Sequence, residues 1–388
     1  MSSTRIYSID VFRAITMLLM IFVNDFWTLT GIPSWLEHSA ADQDFLGFSD
    51  IIFPSFLFIV GMSVPYAIQN RLAKGDSRTK IFLHILLRSV ALLIMGFFTV
   101  NISDINAAAS GISRRQFMVL MVVAFFLIWN VYPRSEGAKK WVFRGLQAVG
   151  AALLLGLFLI FKGGADGSQG MTPQWWGILG LIGWTYLVTS ALYLFLFQRN
   201  IYLIAALLFF ALLNIADHAG WIKSLLPNGP QELLPGNGAF QLFAFLGIVA
   251  TLLLEQYKKA ARTAKLPLVY FGLGAVLIAA GTLSRHFFII SKIHATPTWV
   301  FLCSGIAFIT FALVFWLVDL RGKVQWFDVI KTAGTATLTC YMIPYLFDIP
   351  IKGLMAHGVL GLTKSMLYAF LVIGIANLLG RFGVKLKI

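Results

Sequence analysis

The sequence predicts an all-α fold: a polytopic transmembrane helical bundle of 11–12 spans with a cytoplasmic N-terminus. Three observations carry that prediction. Of 388 residues, 59% are hydrophobic and 12% charged, about half the charge of an ordinary soluble domain. Mean hydropathy is +0.83, and apolar runs of about 20 residues, the length that crosses a bilayer, recur along the chain. The 35 phenylalanines and 11 tryptophans suit rings that face lipid and sit at its two interfaces.

The first span, 10–29, follows directly on MSSTRIYSID. No small-residue cleavage site follows it, so it reads as a retained helix and not as a signal peptide. Further spans are expected at 48–69, 81–101, 116–132, 143–161, 175–197, 201–215, 239–257, 267–284, 298–319, 330–347 and 364–382. The shortest, 201–215, leaves eleven as the alternative to twelve. With the N-terminus inside, Lys and Arg gather in the cytoplasmic connections RLAKGDSRTK (71–80), PRSEGAKK (133–140), QYKKAARTAK (256–265), DLRGK (319–323) and the tail RFGVKLKI. The net charge of +14 is therefore a topology signal and argues against a nucleic-acid partner. The Pro- and Gly-rich connection 216–238 reads as an external loop too short to fold alone. Residues 1–388 are expected to form a single integral-membrane domain.

Cys303 and Cys340 lie in apolar runs and read as small core residues. The six histidines show no metal-ligand spacing, so no metal is expected. The pairs Asp217-His218 and Arg285-His286 fall at helix ends, where side chains snorkel to the interface. The informative residues are the polar ones inside or beside apolar runs, which are costly in hydrocarbon unless satisfied.

Asn24 and Asp25 end the first span in FVNDFWTLTGIPSWLEHSAADQD, and His38 follows, flanked by Glu37 and by Asp42 and Asp44. The second span opens on Ser49, Asp50 and Pro54. An imidazole beside carboxylates can accept a proton or act as a nucleophile near neutral pH, and a carboxylate can fix its tautomer. An amide such as Asn24 can donate to a developing oxyanion. These groups are expected to converge near the outer half of the bilayer. Asp10 and Arg13 share a helix face at the inner end of the first span. Arg88, two turns into the third, needs a carboxylate partner such as Asp10 or Asp50, or an anionic ligand from the cytoplasm.

The stretch SIDVFRAITMLLMIFVND, then WLEH, then FSDIIFPSFLFIVGMSVPYAIQNR, resembles the opening of the heparan-alpha-glucosaminide N-acetyltransferase family of transmembrane acetyltransferases. The likeness is strong over 8–61 and continues through RSVALLIMGFFTVN (88–101), so 8–101 is the motif-bearing part. A weaker echo appears at SKIHATPTWVFLCSGIAFITFALVFWLVD (291–319).

The resemblance implies transfer of acetyl from cytoplasmic acetyl-CoA to the amino group of a glucosamine-type sugar on the far side of the membrane. It implies catalytic roles for Asn24, His38 and Asp50. Asp10, Arg13 and Arg88 would then bind the donor, with Arg71, Lys74, Arg78 and Lys80 as further bases at its mouth. Asp25, Glu37 and Asp42 would meet the acceptor. A glucosamine or glucosamine-terminated oligosaccharide, the lipid bilayer and a second copy in a homodimer are the implied partners. The chain departs from the family at Ala14, where relatives carry Gly. Its Asn24-to-His38 and His38-to-Asp50 intervals, 14 and 12 residues, are longer than in the lysosomal member. It carries Ala41-Asp42-Gln43-Asp44 where relatives often have Trp-Asn-Gly. Without the large luminal N-terminal segment of the lysosomal member, a bacterial cytoplasmic membrane is the expected home. An O-acyltransferase acting on a glycan or lipid hydroxyl, or a secondary sugar transporter, remains the alternative. The acceptor atom separates the first from an N-acetyltransferase. The transporter explains neither the single external His nor the intramembrane Asn.

Overall fold

The computed structural model describes residues 6–133, 136–196, 199–223, 234–346 and 356–388. Part of the predicted basic connection 133–140, the last residues of the spans 175–197 and 330–347, and residues 224–233 of the predicted external loop lie outside the described residues.

Among the described residues, twelve helices of ten residues or more occupy the twelve predicted apolar runs. In chain order they are α1 (Tyr7–Val23), α2 (Ile52–Ala73), α3 (Arg78–Val100), α4 (Arg114–Trp129), α5 (Ala138–Ile160), α6 (Gly177–Leu196), α7 (Asn200–His218), α8 (Ala239–Lys259), α9 (Leu266–Ser284), α10 (Pro297–Phe315), α11 (Thr337–Leu346) and α12 (Gly358–Arg381). Nine are long and apolar enough to cross a membrane. The other three are shorter: α1 has 17 residues, α4 has 16 and α11 has 10.

Local chemistry sets the ends. Ser77 caps α3 by accepting from the Lys80 N–H. Ser113 and Gln116 close a reciprocal box at the start of α4, which satisfies amides that would otherwise be orphaned. Pro297 opens α10, where a missing N–H costs nothing.

The core lies where helices are buried on more than one side. The spans containing α2 and α8 are 67% and 72% buried, whereas α5 and α7 are each 17% buried and present apolar faces outward, as lipid-facing helices do. α2 and α8 meet backbone to backbone. A Cβ at Gly61 would stand 1.9 Å from the Ala244 carbonyl oxygen, and one at Gly247 would stand 2.0 Å from that of Phe58. Such close contact is what small residues permit between helices in a membrane.

Two irregularities position the polar residues. The predicted span 330–347 is broken at Ala336 into a short helix, Lys331–Thr335, and α11. Gly334 there packs directly on α1, where a Cβ would meet the Asp10 carbonyl oxygen at 2.4 Å. Broken backbone at membrane depth is tolerated where it is buried in protein or lines a cavity, and Gly334, Thr335 and Thr337 line one. At the other end of α1, Leu29–Thr30 pairs in parallel with Ala356–His357, which ties the segment after α1 to the start of α12.

Candidate active site

Residues 31–47 fold into a compact loop over the start of α2. Gly47 makes this possible: a Cβ there would collide with the Glu37 carbonyl oxygen at 1.9 Å. Ser49 Oγ donates to the Leu36 carbonyl at 2.6 Å. The loop closes around the Asp50 carboxylate, 1% exposed, in the turn Phe48–Ile51 that precedes α2. Its Oδ2 accepts from Ser39 N (3.1 Å), Ser39 Oγ (2.9 Å) and Gly47 N (3.2 Å). Its Oδ1 accepts from His38 Nδ1 at 2.7 Å. A buried carboxylate requires this degree of satisfaction. In the tautomer that donates from Nδ1 to Asp50, Nε2 carries the lone pair, and the side chain is 46% exposed. An imidazole so oriented can take a proton or attack a carbonyl.

A third group joins the pair. Lys292, in the connection between α9 and α10, places Nζ 3.2 Å from His38 Nδ1 and 3.7 Å from Asp50 Oδ1. Burial pushes its ammonium below the ordinary lysine value, with Asp50 pulling the other way. The connection is pinned to the 31–47 loop. Ser291 Oγ donates to the Ala41 carbonyl at 2.7 Å, and Asp44 accepts from Ile290 N at 2.8 Å and Arg285 Nε at 2.9 Å. The Ile290 N–H and the Arg285 guanidinium hold Asp44 below the usual carboxylate range against desolvation. Trp299 Nε1, from α10, donates to the Asp50 carbonyl at 3.2 Å.

Asn24 and Asp25 belong to a different assembly. Asp25 is 1% exposed, and its Oδ2 takes Ser365 Oγ at 2.6 Å and Lys364 Nζ at 3.1 Å, both from α12. Lys364 also donates to Thr28 Oγ1 at 2.7 Å. Asn24 and Asp25 line a cavity of about 260 Å³ together with Trp175, Tyr345 and Tyr368. His38 and Asp50 are not among its lining residues. The expected convergence of all these groups on one point is thus divided in two: Asp25 faces α12, and Asp50 faces the 31–47 loop and Lys292.

The other acids are peripheral. Asp42 is 99% exposed and stands 3.5 Å from His294, while Glu37 is exposed and contributes its backbone to the loop.

At the opposite end of α1, Arg13 and Arg88 line a second cavity of about 390 Å³, with Ser63, Tyr186, Gly334 and Lys387. Arg13 reaches Asp10 Oδ1 at 3.1 Å and Ser63 Oγ at 2.8 Å, so the expected pair exists and leans into the cavity wall. Arg88 does not pair with Asp10 or Asp50, each engaged elsewhere. Its guanidinium lies 4.7 Å from the Tyr186 ring centroid, and its Nε has no hydrogen-bond partner among the described residues. Of the loop bases, Arg71 and Lys80 are held by Asp76. Met17, Ile178 and Tyr341 line both cavities, so the two adjoin along α1. Arg13 and Asn24 stand about 16 Å apart by helix rise.

Asn101 has a positioning role. Its amide donates to the Thr172 carbonyl at 2.8 Å and accepts from Thr172 N at 3.2 Å. It thereby clamps the turn that carries Trp175 to the mouth of the smaller cavity. Cys303 and Cys340 are buried and free, and no cluster suited to a metal ion occurs among the described residues.

Sequence reasoning missed Lys292, Lys364 and Lys387. Lys292 stands in the SKIH that opens the weaker echo at 291–319, and Lys364 is a lone charge at the start of a predicted span. Those were the available signals.

Comparison with known proteins agrees with the motif. Residues 5–112 match the family model described as heparan-alpha-glucosaminide N-acetyltransferase, catalytic. The mouse heparan-alpha-glucosaminide N-acetyltransferase is 31% identical over 144 residues, 34% of this chain and 21% of the mouse protein. The human protein of that name is 33% identical over 97 residues, 25% of this chain and 14% of the human one. The chain thus spans 21% and 14% of the length of these curated relatives.

Proposed function

We propose that this relative of the heparan-alpha-glucosaminide N-acetyltransferases is a transmembrane acetyltransferase, with acetyl-CoA as donor and the amino group of a glucosamine-type sugar as acceptor. The observation that carries the reading is the pair of adjoining cavities along α1. One is walled by Arg13, Arg88 and Lys387, and the other by Asn24. CoA carries phosphates, which suit guanidinium groups, while its pantetheine arm is slender enough to run past Met17, Ile178 and Tyr341. In this reading the N-terminus and the Arg13 end face the cytoplasm, and the Asn24 and His38 end faces the periplasm of a bacterial inner membrane.

Asn24 would donate to the thioester oxygen as charge develops on it. His38 Nε2, with its tautomer fixed by Asp50, stands outside the residues that line the Asn24 cavity. The acceptor would therefore have to reach from that cavity to the 31–47 loop, where His38 would take a proton from its ammonium or carry the acetyl group itself. In either sequence the carbon–sulfur bond breaks and a carbon–nitrogen bond forms. The acceptor ammonium gives up two protons in all: one ends on the CoA thiolate and the other passes through His38 to solvent. Asp25, which lines the Asn24 cavity, is the acid best situated to meet an acceptor ammonium. The exposure of Glu37 and Asp42 assigns them at most to an outer rim.

The test is acetyl-CoA turnover by detergent-purified protein with glucosamine as acceptor, wild type beside His38→Ala. Release of CoA with formation of N-acetylglucosamine, lost in the variant while CoA binding is retained, is the expected result. Turnover unchanged in His38→Ala removes His38 from the chemistry. Acetyl transfer confined to sugar hydroxyls replaces the N-acetyl reading with an O-acyl one.

A further inference from the structure

We propose that Lys292 is a positioning residue whose ammonium, set against Asp50, holds a like charge beside the His38 imidazole, so that Nε2 stays available for transfer. The inference rests on His38 acting in the reaction proposed above, and it assigns a residue outside the matched family region of 5–112.

The geometry contains a conflict that a spectator lysine would not create. Asp50 Oδ1 is approached by two nitrogen donors at once, His38 Nδ1 at 2.7 Å and Lys292 Nζ at 3.7 Å, and the two nitrogens are 3.2 Å apart. With imidazole neutral, one carboxylate and one ammonium balance. With imidazole charged, two cations would compete for one oxygen while the other oxygen is already filled by Ser39 and Gly47. A like charge within about 4–6 Å disfavours the charged form. Lys292 thus works against the imidazolium while Asp50 works for it.

The other charged groups near the loop are engaged or exposed. Asp44 is paired with Arg285, Asp42 with His294, and Glu37 lies on the exposed side of the loop. The placement is also built. Lys292 reaches His38 across 254 residues of sequence, on a connection held to the 31–47 loop by Ser291, Ile290 and Arg285. Its side chain is 25% exposed and set against a carboxylate that is 1% exposed, so solvent screens the interaction weakly.

Peptide-resolved carbethoxylation of His38 by diethyl pyrocarbonate, followed across pH on the full-length protein, tests this without depending on turnover. The reagent modifies neutral imidazole. In Lys292→Met the midpoint of His38 reactivity should move to higher pH by about one unit, while Lys292→Arg, which keeps the charge, should follow the wild type. Where acetyl transfer is measured, kcat/KM at a pH below the midpoint should fall about tenfold in Lys292→Met, converging with wild type at high pH. Should Lys292→Met fail to fold, Lys292→Gln loses the charge and keeps a polar end. A midpoint unmoved by charge removal, or moved equally by Met and Arg, overturns the proposal and leaves Lys292 a structural residue. A shifted midpoint in a protein that transfers no acetyl upholds the electrostatic role and removes the function proposed for the site.

Discussion

The two ends of α1 handle charge in opposite ways. At the His38 end the enclosed acids meet donors: Asp50 by four hydrogen bonds and Lys292, Asp44 by Arg285 and Ile290, and Asp25 through Oδ2 by Lys364 and Ser365, its Oδ1 having no hydrogen-bond partner among the described residues. At the Arg13 end the cations outnumber their acids. Asp10 meets Arg13, while Arg88 rests on an aromatic face with its Nε unsatisfied, and Lys387 joins them around the larger cavity. The first arrangement fixes side chains in position, as chemistry at a single atom demands. The second places positive charge in a cavity, an arrangement that would suit an anionic ligand.

The contrast can be broken at either end. The largest effect is expected from His38→Ala, with kcat lowered on the order of 10²–10⁴-fold and the Kd for CoA unchanged in equilibrium binding. An equal loss of binding would merge the two ends into one site. Next comes Asp50→Asn, which leaves Lys292 charged and unmatched beside His38. Breaking a buried pair costs about 3–5 kcal/mol, so thermal unfolding in detergent should shift down sharply and most turnover should vanish. A variant as stable as wild type would mean that the loop is held by its backbone alone. At the opposite end, Arg88→Met should weaken CoA binding about tenfold, about 1.4 kcal/mol, with kcat at saturating CoA retained. A fall in kcat with unchanged Kd would take Arg88 out of the donor site.

The smallest effect concerns Asp44. Its folded pKa is depressed, so its contribution is present above the unfolded value of about 3.9 and is lost as pH falls through the lower folded one. The Arg285 contact is half exposed and contributes at most about 1 kcal/mol. Hydrogen exchange in residues 285–296 should therefore rise modestly below pH 4 in wild type. In Asp44→Asn it should already be raised at neutral pH and insensitive to that acid step. A flat response in wild type would assign the docking of this connection to Ser291 and Ala41.

Much of this contrast was legible in the sequence, and for identifiable reasons. A run of about 20 apolar residues has one favourable state in lipid, a helix with its backbone bonds satisfied internally. The twelve runs could therefore be read locally, and the structure puts helices on all of them. Asp10 and Arg13 were readable as a pair because three residues on a helix bring side chains together. The His38–Asp50 contact was suggested by the proximity of the two residues in sequence and by the motif around them. Arg88 was not readable: a lone cation in an apolar run calls for a partner, and Tyr186, which supplies a ring face, lies three helices further along the chain.

By itself, then, the sequence determined the class and the helices and singled out His38 as the candidate imidazole, because hydropathy and short-range spacing act through nearest neighbours. The tertiary structure alone decided that Asp25 faces α12, with Asn24 lining the cavity beside it, while Asp50 faces Lys292. It also decided that the helix 330–347 breaks beside Arg13, and that two cavities meet at Met17, Ile178 and Tyr341. Those outcomes depend on which helix packs against which. In a membrane that choice is set by close packing and by the need of each buried charge to find a partner, and the partners here lie as far as 340 residues away.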